Sequence, residues 1–290
     1  MRDTRKLLDQ FGVRLTKRFG QNFLVDEQVV EDIVEGSGTV ETDLVIEIGP
    51  GAGSMTRVLS EYAGKVLAIE IDRKLIPVLE QTLADYKNVT IINEDIMKVD
   101  LKELINQYVK ESSNTAVRVV ANLPYYITTP IIMKLLEEHE IVTSMTFMVQ
   151  KEVADRMCAN PGTKDYGALT LAVNFYAQPV QLFNVMPKSF FPQPDVTSTV
   201  IRLDRHASPP VQVKSREMLF KVIKASFGQR RKTLLNGLCN SGAFTLDRQQ
   251  MSDALLSINI DPGCRGETLS LKEFAELANL FEGFIFSQKD

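Results

Sequence analysis

Leu44-Val45-Ile46-Glu47-Ile48-Gly49-Pro50-Gly51-Ala52-Gly53 is the stretch that decides the fold class. An aliphatic run broken only by Glu47 reads as a buried strand, and the glycines behind it allow a sharp turn into a helix from about Ser54. Strand, glycine turn and helix make the first half of a βαβ unit, whose turn lets backbone approach a ligand closely. The loop by itself fits a nicotinamide or flavin dinucleotide, or S-adenosylmethionine. Two details narrow the choice. The dinucleotide fingerprint asks for a third glycine where Ser54 stands. Pro50 removes a backbone donor that a pyrophosphate would use.

The same alternation continues outward. Residues 65–71, 89–93, 117–121 and 144–149 are expected strands, and residues 73–86 and 130–138 are the clearest helices between them. Short apolar runs alternating with amphipathic ones up to about residue 205 are the signature of a doubly wound α/β domain. Residues 180–185 and 196–203, separated by the proline-rich 187–194, are expected as an antiparallel hairpin on the sheet edge. Ala207-Ser208-Pro209-Pro210 reads as a linker. The expected division is an α/β domain over residues 1–207 and a small all-helical domain over 208–290. Helices are expected in the latter at 217–227, 232–239, 247–258 and 271–281, with Asp247 as a helix start.

With 290 residues and 44% hydrophobic content, the chain can bury one large core or two smaller ones. No uninterrupted apolar stretch approaches the roughly 20 residues of a membrane span. Arg2, Arg5 and Lys6 are interspersed with Asp3 and Asp9 and no apolar core follows, so export is not expected. Cys158, Cys239 and Cys264 lie far apart and form no metal or redox pair. The expectation is a cytoplasmic protein with no resident metal and no membrane partner. With His139 and His206 the only histidines, chemistry built on a histidine base is not expected. The net charge of −4 speaks against a nucleic-acid partner, but its distribution matters more. Lys214, Arg216, Lys221, Lys224, Arg230, Arg231 and Lys232 stand against the single acid Glu217, and Arg14, Lys17 and Arg18 precede Phe19. These two basic groups fit the ends of one phosphate-contacting footprint.

Further functional residues fall at successive strand ends. Glu70 closes the second strand, where an acid can accept both hydroxyls of a ribose; Asp95, after Glu94 at the end of the third, can accept from an adenine amino group. Asn122-Leu123-Pro124-Tyr125 ends the fourth. Pro124 bars continuation of the strand and holds Leu123 extended. That leaves the Asn122 amide and nearby carbonyls as acceptors for an exocyclic amine, with Tyr125 offering a flat face. Ligands of such sheets bind beyond the carboxyl ends of the strands, so the set faces one crevice.

Phe19-Gly20-Gln21-Asn22-Phe23-Leu24, the 47–53 loop, Glu70, Glu94-Asp95, Asn122 to Tyr125 and Phe190-Phe191-Pro192-Gln193-Pro194-Asp195-Val196 occur in that order. Together they resemble the ribosomal RNA adenine dimethylase family, over about residues 14–280 and including Arg230-Arg231-Lys232. The resemblance implies a Rossmann-like S-adenosylmethionine-dependent methyltransferase sheet with a helical C-terminal domain that binds ribosomal RNA. S-adenosylmethionine would meet Asn22, Leu24, Gly49, Gly51, Glu70, Asp95 and Asn122. RNA would meet Lys221, Lys224, Arg230, Arg231 and Lys232. The reaction implied is dimethylation of two adjacent adenines in the 3′-terminal hairpin loop of 16S rRNA, in the small subunit or its precursor, by a monomer. An adenine amine is a poor nucleophile and the methyl sulfonium a strong electrophile, so alignment by Asn122 and the Leu123 carbonyl would carry the catalysis. Tyr125 and, from the resemblance, Phe190 would sandwich the flipped-out base, with Phe191 the alternative to Phe190. A large-subunit RNA methyltransferase of the macrolide-resistance type and a non-catalytic ribosome-assembly factor remain the competing expectations.

Overall fold

The computed structural model describes residues 7, 10–12, 22–109, 115–138 and 141–287. Arg14, Lys17, Arg18, Phe19, Gly20, Gln21 and His139 therefore lie outside the described residues. The chain divides into two compact units, residues 1–154 with 178–205, and residues 155–177 with 206–290.

The first unit is built on β2 (Leu44–Ile48), β3 (Lys65–Glu70), β4 (Val89–Asn93), β5 (Val117–Asn122), β6 (Val142–Gln150), β7 (Ala177–Val185) and β9 (Ser198–Arg205). They form one seven-stranded sheet in the order β4-β3-β2-β5-β6-β9-β7. Pairings among β2 to β6 are parallel, and β9 runs antiparallel to β6. Every residue of β2 is buried, as expected where helices cover both faces of a parallel sheet. Helices Glu27–Ser37 and Ser54–Tyr62 bring Val30, Ile33, Val34, Met55 and Leu59 against Val45, Val66, Val120 and Met148. Near the amino ends of the strands, Arg118 pairs with Asp43 at 2.6 Å and also donates to Ser144 Oγ at 2.9 Å.

Register is what positions the functional edge. Ile48 sits opposite Ile69 on β3 and Ala121 on β5, so the next residues, Gly49, Glu70 and Asn122, end flush. Glu70 in turn pairs with Asn93, which delivers Glu94 and Asp95 to the same edge.

The proline-rich segment between the two expected edge strands also forms structure of its own. Pro187–Ser189 forms a 3₁₀ turn, and β8 (Phe190–Phe191) pairs antiparallel with β1 (Phe23–Leu24), Leu24 opposite Phe190 and Phe23 opposite Phe191. The two distant motifs thus build one small sheet. Ser189 fastens it, accepting from Val25 N at 2.9 Å and donating its hydroxyl to Asp26 at 2.8 Å. β7 lies at the sheet edge beside β9, the neighbours expected there.

The second unit corrects the expected single boundary near residue 207, because residues 155–177 belong with the C-terminal helices. The helix Ala168–Tyr176 in this unit is buried at nearly every position. Its aromatic end packs on the helix Arg216–Phe227: Tyr176 stacks on Phe220 with centroids 5.7 Å apart, and Phe175 meets the same ring edge-on. Tyr166 donates its hydroxyl to Leu269 O at 2.7 Å. Helices Leu234–Asn240, Arg248–Ser257 and Leu271–Ser287 complete the unit. Asp247 caps its helix as expected, accepting from Gln250 N at 2.8 Å while the Gln250 side chain accepts from Asp247 N. Among the described residues no helix is long and apolar enough to cross a membrane.

Candidate active site

The glycine loop is held open by conformations that side-chain-bearing residues rarely adopt. Gly49, Gly51 and Gly53 have φ of +71°, +61° and +84°. Gly49 N donates to Ile69 O at 2.9 Å, and Gly53 N closes a turn onto Pro50 O at 2.9 Å. A methyl group on Gly51 would lie 3.1 Å from the Phe23 ring, so this glycine lets the N-terminal strand close onto the loop.

Glu70 links the loop to β3. One carboxylate oxygen accepts from Asp72 N at 2.8 Å and the other from Gly51 N at 3.3 Å. Burial raises its carboxyl from 4.5 to about 7, against the lowering effect of those backbone donors. Glu47 is wholly buried, and neither of its oxygens has a hydrogen-bond partner. Burial lifts it to about 8, the Glu70 charge adding to the rise and Thr56 moderating it. The Thr56 hydroxyl lies near that carboxyl but makes no hydrogen bond of good geometry.

Asp95 is half-buried and uses one oxygen to accept from Met97 N at 3.0 Å. Asn122 Nδ2 donates to the main-chain carbonyl of Asn22 at 2.9 Å. That bond fixes the amide's orientation and leaves Oδ1 as the acceptor facing away from Asn22. Pro124 O accepts from Ile127 N at 3.1 Å and from Thr128 Oγ1 at 2.9 Å, turning the chain into the helix Thr128–Glu138. Tyr125 is half-buried with its hydroxyl 2.8 Å from Ser198 Oγ, and burial raises its phenol. The ring is therefore held in place at its polar tip.

Asn22, Leu24, Gly49, Gly51, Glu70, Asp95 and the residues Asn122 to Tyr125 all line one cleft of about 1130 Å³, a space that includes solvent at its mouth. The expected set is thus brought together, with one exception. Phe190 is 3% exposed and packs with Leu24, Val185 and Val200 in the core, outside the cleft lining. Alternation along β8 turns the Phe190 ring inward, whereas Phe191 is half-buried. Residues with no role assigned from the sequence also line the cleft, among them Phe23, Glu47, Glu94 and the 58%-exposed Tyr126. A lone acid in an otherwise aliphatic strand was the available signal for Glu47.

The lining acids are Glu47, Glu70, Glu94 and Asp95, and no described lining residue is basic. Such a cleft suits a ligand that carries positive charge. A sulfonium nucleoside fits this donor set, and the glycine cradle admits close backbone approach. Among the described residues no group of three or more His, Cys, Asp and Glu could hold a metal ion.

The basic cluster belongs to the second unit. Lys224, Arg231 and Lys232 are exposed, and Lys221 Nζ lies 5.4 Å over the Phe244 ring. Arg230 is partly committed to structure: it donates to Lys164 O at 2.7 Å and Tyr166 O at 3.0 Å, with Glu267 at 3.6 Å.

Residues 12–282 match the family model described as ribosomal RNA adenine dimethylase. The ribosomal RNA small subunit methyltransferase A of Lachnoclostridium phytofermentans is 53% identical over 283 residues, 97% of this chain and 96% of that protein. The protein of the same name from Clostridioides difficile is 47% identical over 285 residues, 98% and 97% of the two chains. A dimethyladenosine transferase from Plasmodium falciparum shares the fold, with a TM-score of 0.74 at 23% identity, over 92% of this chain and 98% of that one. The 23S rRNA methyltransferase ErmE gives 0.65 at 24% identity, over 90% and 100%. With the family model covering nearly its whole length and relatives near half identity, this chain belongs to the ribosomal RNA adenine dimethylase family.

Proposed function

We propose that this protein transfers methyl groups from S-adenosylmethionine to the exocyclic amines of two adjacent adenines in the 3′-terminal hairpin loop of 16S rRNA, giving dimethyladenosines during small-subunit biogenesis. The observation that carries the reading is the flush edge where the glycine loop, Glu70, Asp95 and an oriented Asn122 meet in one acid-lined cleft. The names borne by the relatives at 53% and 47% identity favour the small-subunit RNA over the large.

Bound in the cleft, S-adenosylmethionine supplies an electrophilic methyl group on a positively charged sulfur. Glu70 accepts the ribose hydroxyls and Asp95 the adenine amino group of the cofactor, while Asn22, Leu24, Gly49 and Gly51 enclose it. Asn122 Oδ1 and the Leu123 carbonyl accept the two hydrogens of the target amine. Those bonds strengthen as the nitrogen becomes tetrahedral and positive, which lowers the barrier more than it stabilises the bound substrate. No general base is required, because the amine's proton is acidic after transfer and passes to solvent. Tyr125 stacks on the flipped base, a contact of ~1–3 kcal/mol. Lys221, Lys224, Arg231 and Lys232 contact phosphates, with Arg230 adding what its structural bonds leave free. The protein acts as a cytoplasmic monomer.

The test offers labelled S-adenosylmethionine and unmodified small ribosomal subunits to the purified protein, with mass spectrometry of the modified nucleosides. Dimethyladenosine in 16S rRNA is the expected product. Transfer to naked 23S rRNA alone would reassign the substrate, and transfer to neither would leave an RNA-binding assembly factor.

A further inference from the structure

Tyr126 is the most exposed large hydrophobic side chain among the described residues, at 58%, and it lines the cleft. Exposure alone says little, since single exposed apolar side chains are common. Its place in the chain says more. Tyr125 and Tyr126 are the two central residues of the turn that Ile127 N closes onto Pro124 O at 3.1 Å. Thr128 Oγ1 holds the same carbonyl at 2.9 Å. The turn follows directly on Asn122 and Leu123, the acceptors proposed for the target amine. Consecutive Cα atoms lie about 3.8 Å apart across a trans peptide, so the second ring is anchored one residue beyond the first. The fold treats the two rings differently. Tyr125 is half-buried, with its hydroxyl 2.8 Å from Oγ of the fully buried Ser198. Tyr126 keeps more than half of its surface in solvent.

Charge narrows what can lie on that ring. The cleft is lined by Glu47, Glu70, Glu94 and Asp95, with no described basic residue among its walls. An RNA strand entering there finds no anchor for its phosphates. An aromatic face is neutral and stacks on any base. An adenine flipped into the pocket stays joined by a phosphodiester to the nucleotide on each side, and flipping breaks its stack with both. We propose that Tyr126 is the platform for the base next to the target: while Tyr125 stacks on the flipped adenine, Tyr126 stacks on the nucleotide that adjoins it. The site then takes two unpaired consecutive nucleotides, and it selects a target in a loop over one flanked by paired bases. The inference rests on the proposed transfer to adenines of 16S rRNA.

Steady-state transfer from labelled S-adenosylmethionine to unmodified small ribosomal subunits compares the native protein with Tyr126→Phe and Tyr126→Ala. In Tyr126→Ala, kcat/KM for the subunits should fall by about 5- to 150-fold, the range for losing one base–aromatic stack. Tyr126→Phe keeps the ring and should stay near the native value. Calorimetric affinity for S-adenosylmethionine should be unchanged in both. The base itself is tested with subunits reassembled on 16S rRNA that carries an abasic nucleotide on the 5′ or the 3′ side of a single target adenine. On one of these two RNAs the native protein should drop to the level of Tyr126→Ala on intact RNA, and Tyr126→Ala should lose nothing further. A full effect of Tyr126→Ala on both abasic RNAs overturns the inference. So does Tyr126→Ala as active as the native protein, a loss in Tyr126→Phe equal to that in Tyr126→Ala, or weakened S-adenosylmethionine binding. Absence of transfer by the native protein to intact subunits instead overturns the proposed function on which the inference rests.

Discussion

Asn122 does two jobs with one amide. Its Nδ2 is spent on the Asn22 carbonyl, which leaves Oδ1 presented as an acceptor without any rearrangement on substrate arrival. Such preorganisation is worth most when charge develops only in the transition state. Asn122→Ala should therefore lower the transfer rate by about 10²-fold or more. Tritium incorporation measures that loss, while filter binding should show RNA affinity unchanged; surviving activity would remove the amine-gripping role. Glu70 likewise serves both ligand and scaffold, since it accepts from Gly51 N and Asp72 N. Charge-assisted hydrogen bonds are worth about 1.5–3 kcal/mol, so Glu70→Ala should weaken cofactor binding by about 10- to 100-fold. Unchanged affinity in a titration would withdraw the ribose assignment.

At the scale of elements, the small sheet of β1 and β8 fixes the N-terminal motif over the glycine loop. Leu24 and Phe190 face the core as a register pair, and Phe23 sits on Gly51. Phe190→Ala should accordingly cost about 3–5 kcal/mol of stability, the range for deleting a buried phenylalanine ring. Denaturant unfolding reads it. Tyr125→Ala should do the reverse, sparing stability and costing ~1–3 kcal/mol in substrate handling. If Phe190→Ala left the unfolding midpoint in place but abolished transfer, its ring would belong with the substrate after all. The same element logic explains Gly51, where any side chain combines a left-handed φ with a close approach to Phe23.

For the molecule as a whole, the two raised carboxyls give stability a distinctive pH dependence. Glu47 near 8 and Glu70 near 7 keep their protons in the folded state, whereas in the unfolded chain both titrate near 4.5. Between those values the unfolded state binds fewer protons, so folding is favoured at low pH and loses ground as pH rises through 7 and 8. Each group contributes up to about 1.4 kcal/mol per pH unit within its window. The unfolding midpoint of the cofactor-free protein should fall from pH 5 to 8, and Glu47→Gln should flatten that slope. A flat profile in the native protein would mean that water or a partner satisfies these groups. On the second unit, changing Arg231 and Lys232 to Ala should weaken RNA binding at low salt and reduce the salt slope by about one to two charges. Arg230→Ala should also cost local stability, because it removes the donors to Lys164 O and Tyr166 O.

Residue order alone determined the alternating strand–helix pattern, the glycine turn after β2, the acids at the ends of β3 and β4, the Asn122 to Tyr125 motif and the Asp247 cap. These are legible because local rules govern them: hydrophobic period, turn chemistry and capping act over a few neighbouring residues. Tertiary structure alone decided the rest. Whether Phe190 or Phe191 turns inward depends on pairing with Phe23–Leu24, a contact made across most of the chain length. That residues 155–177 join the C-terminal helices depends on which surface buries the aromatic end of one helix, which no linker composition reveals. The burial of Glu47 without a partner, and the commitment of Arg230 to carbonyls far away in sequence, are likewise set by what the folded chain places around them. A charge in a sequence has a residue type; its protonation and its availability are properties of its surroundings.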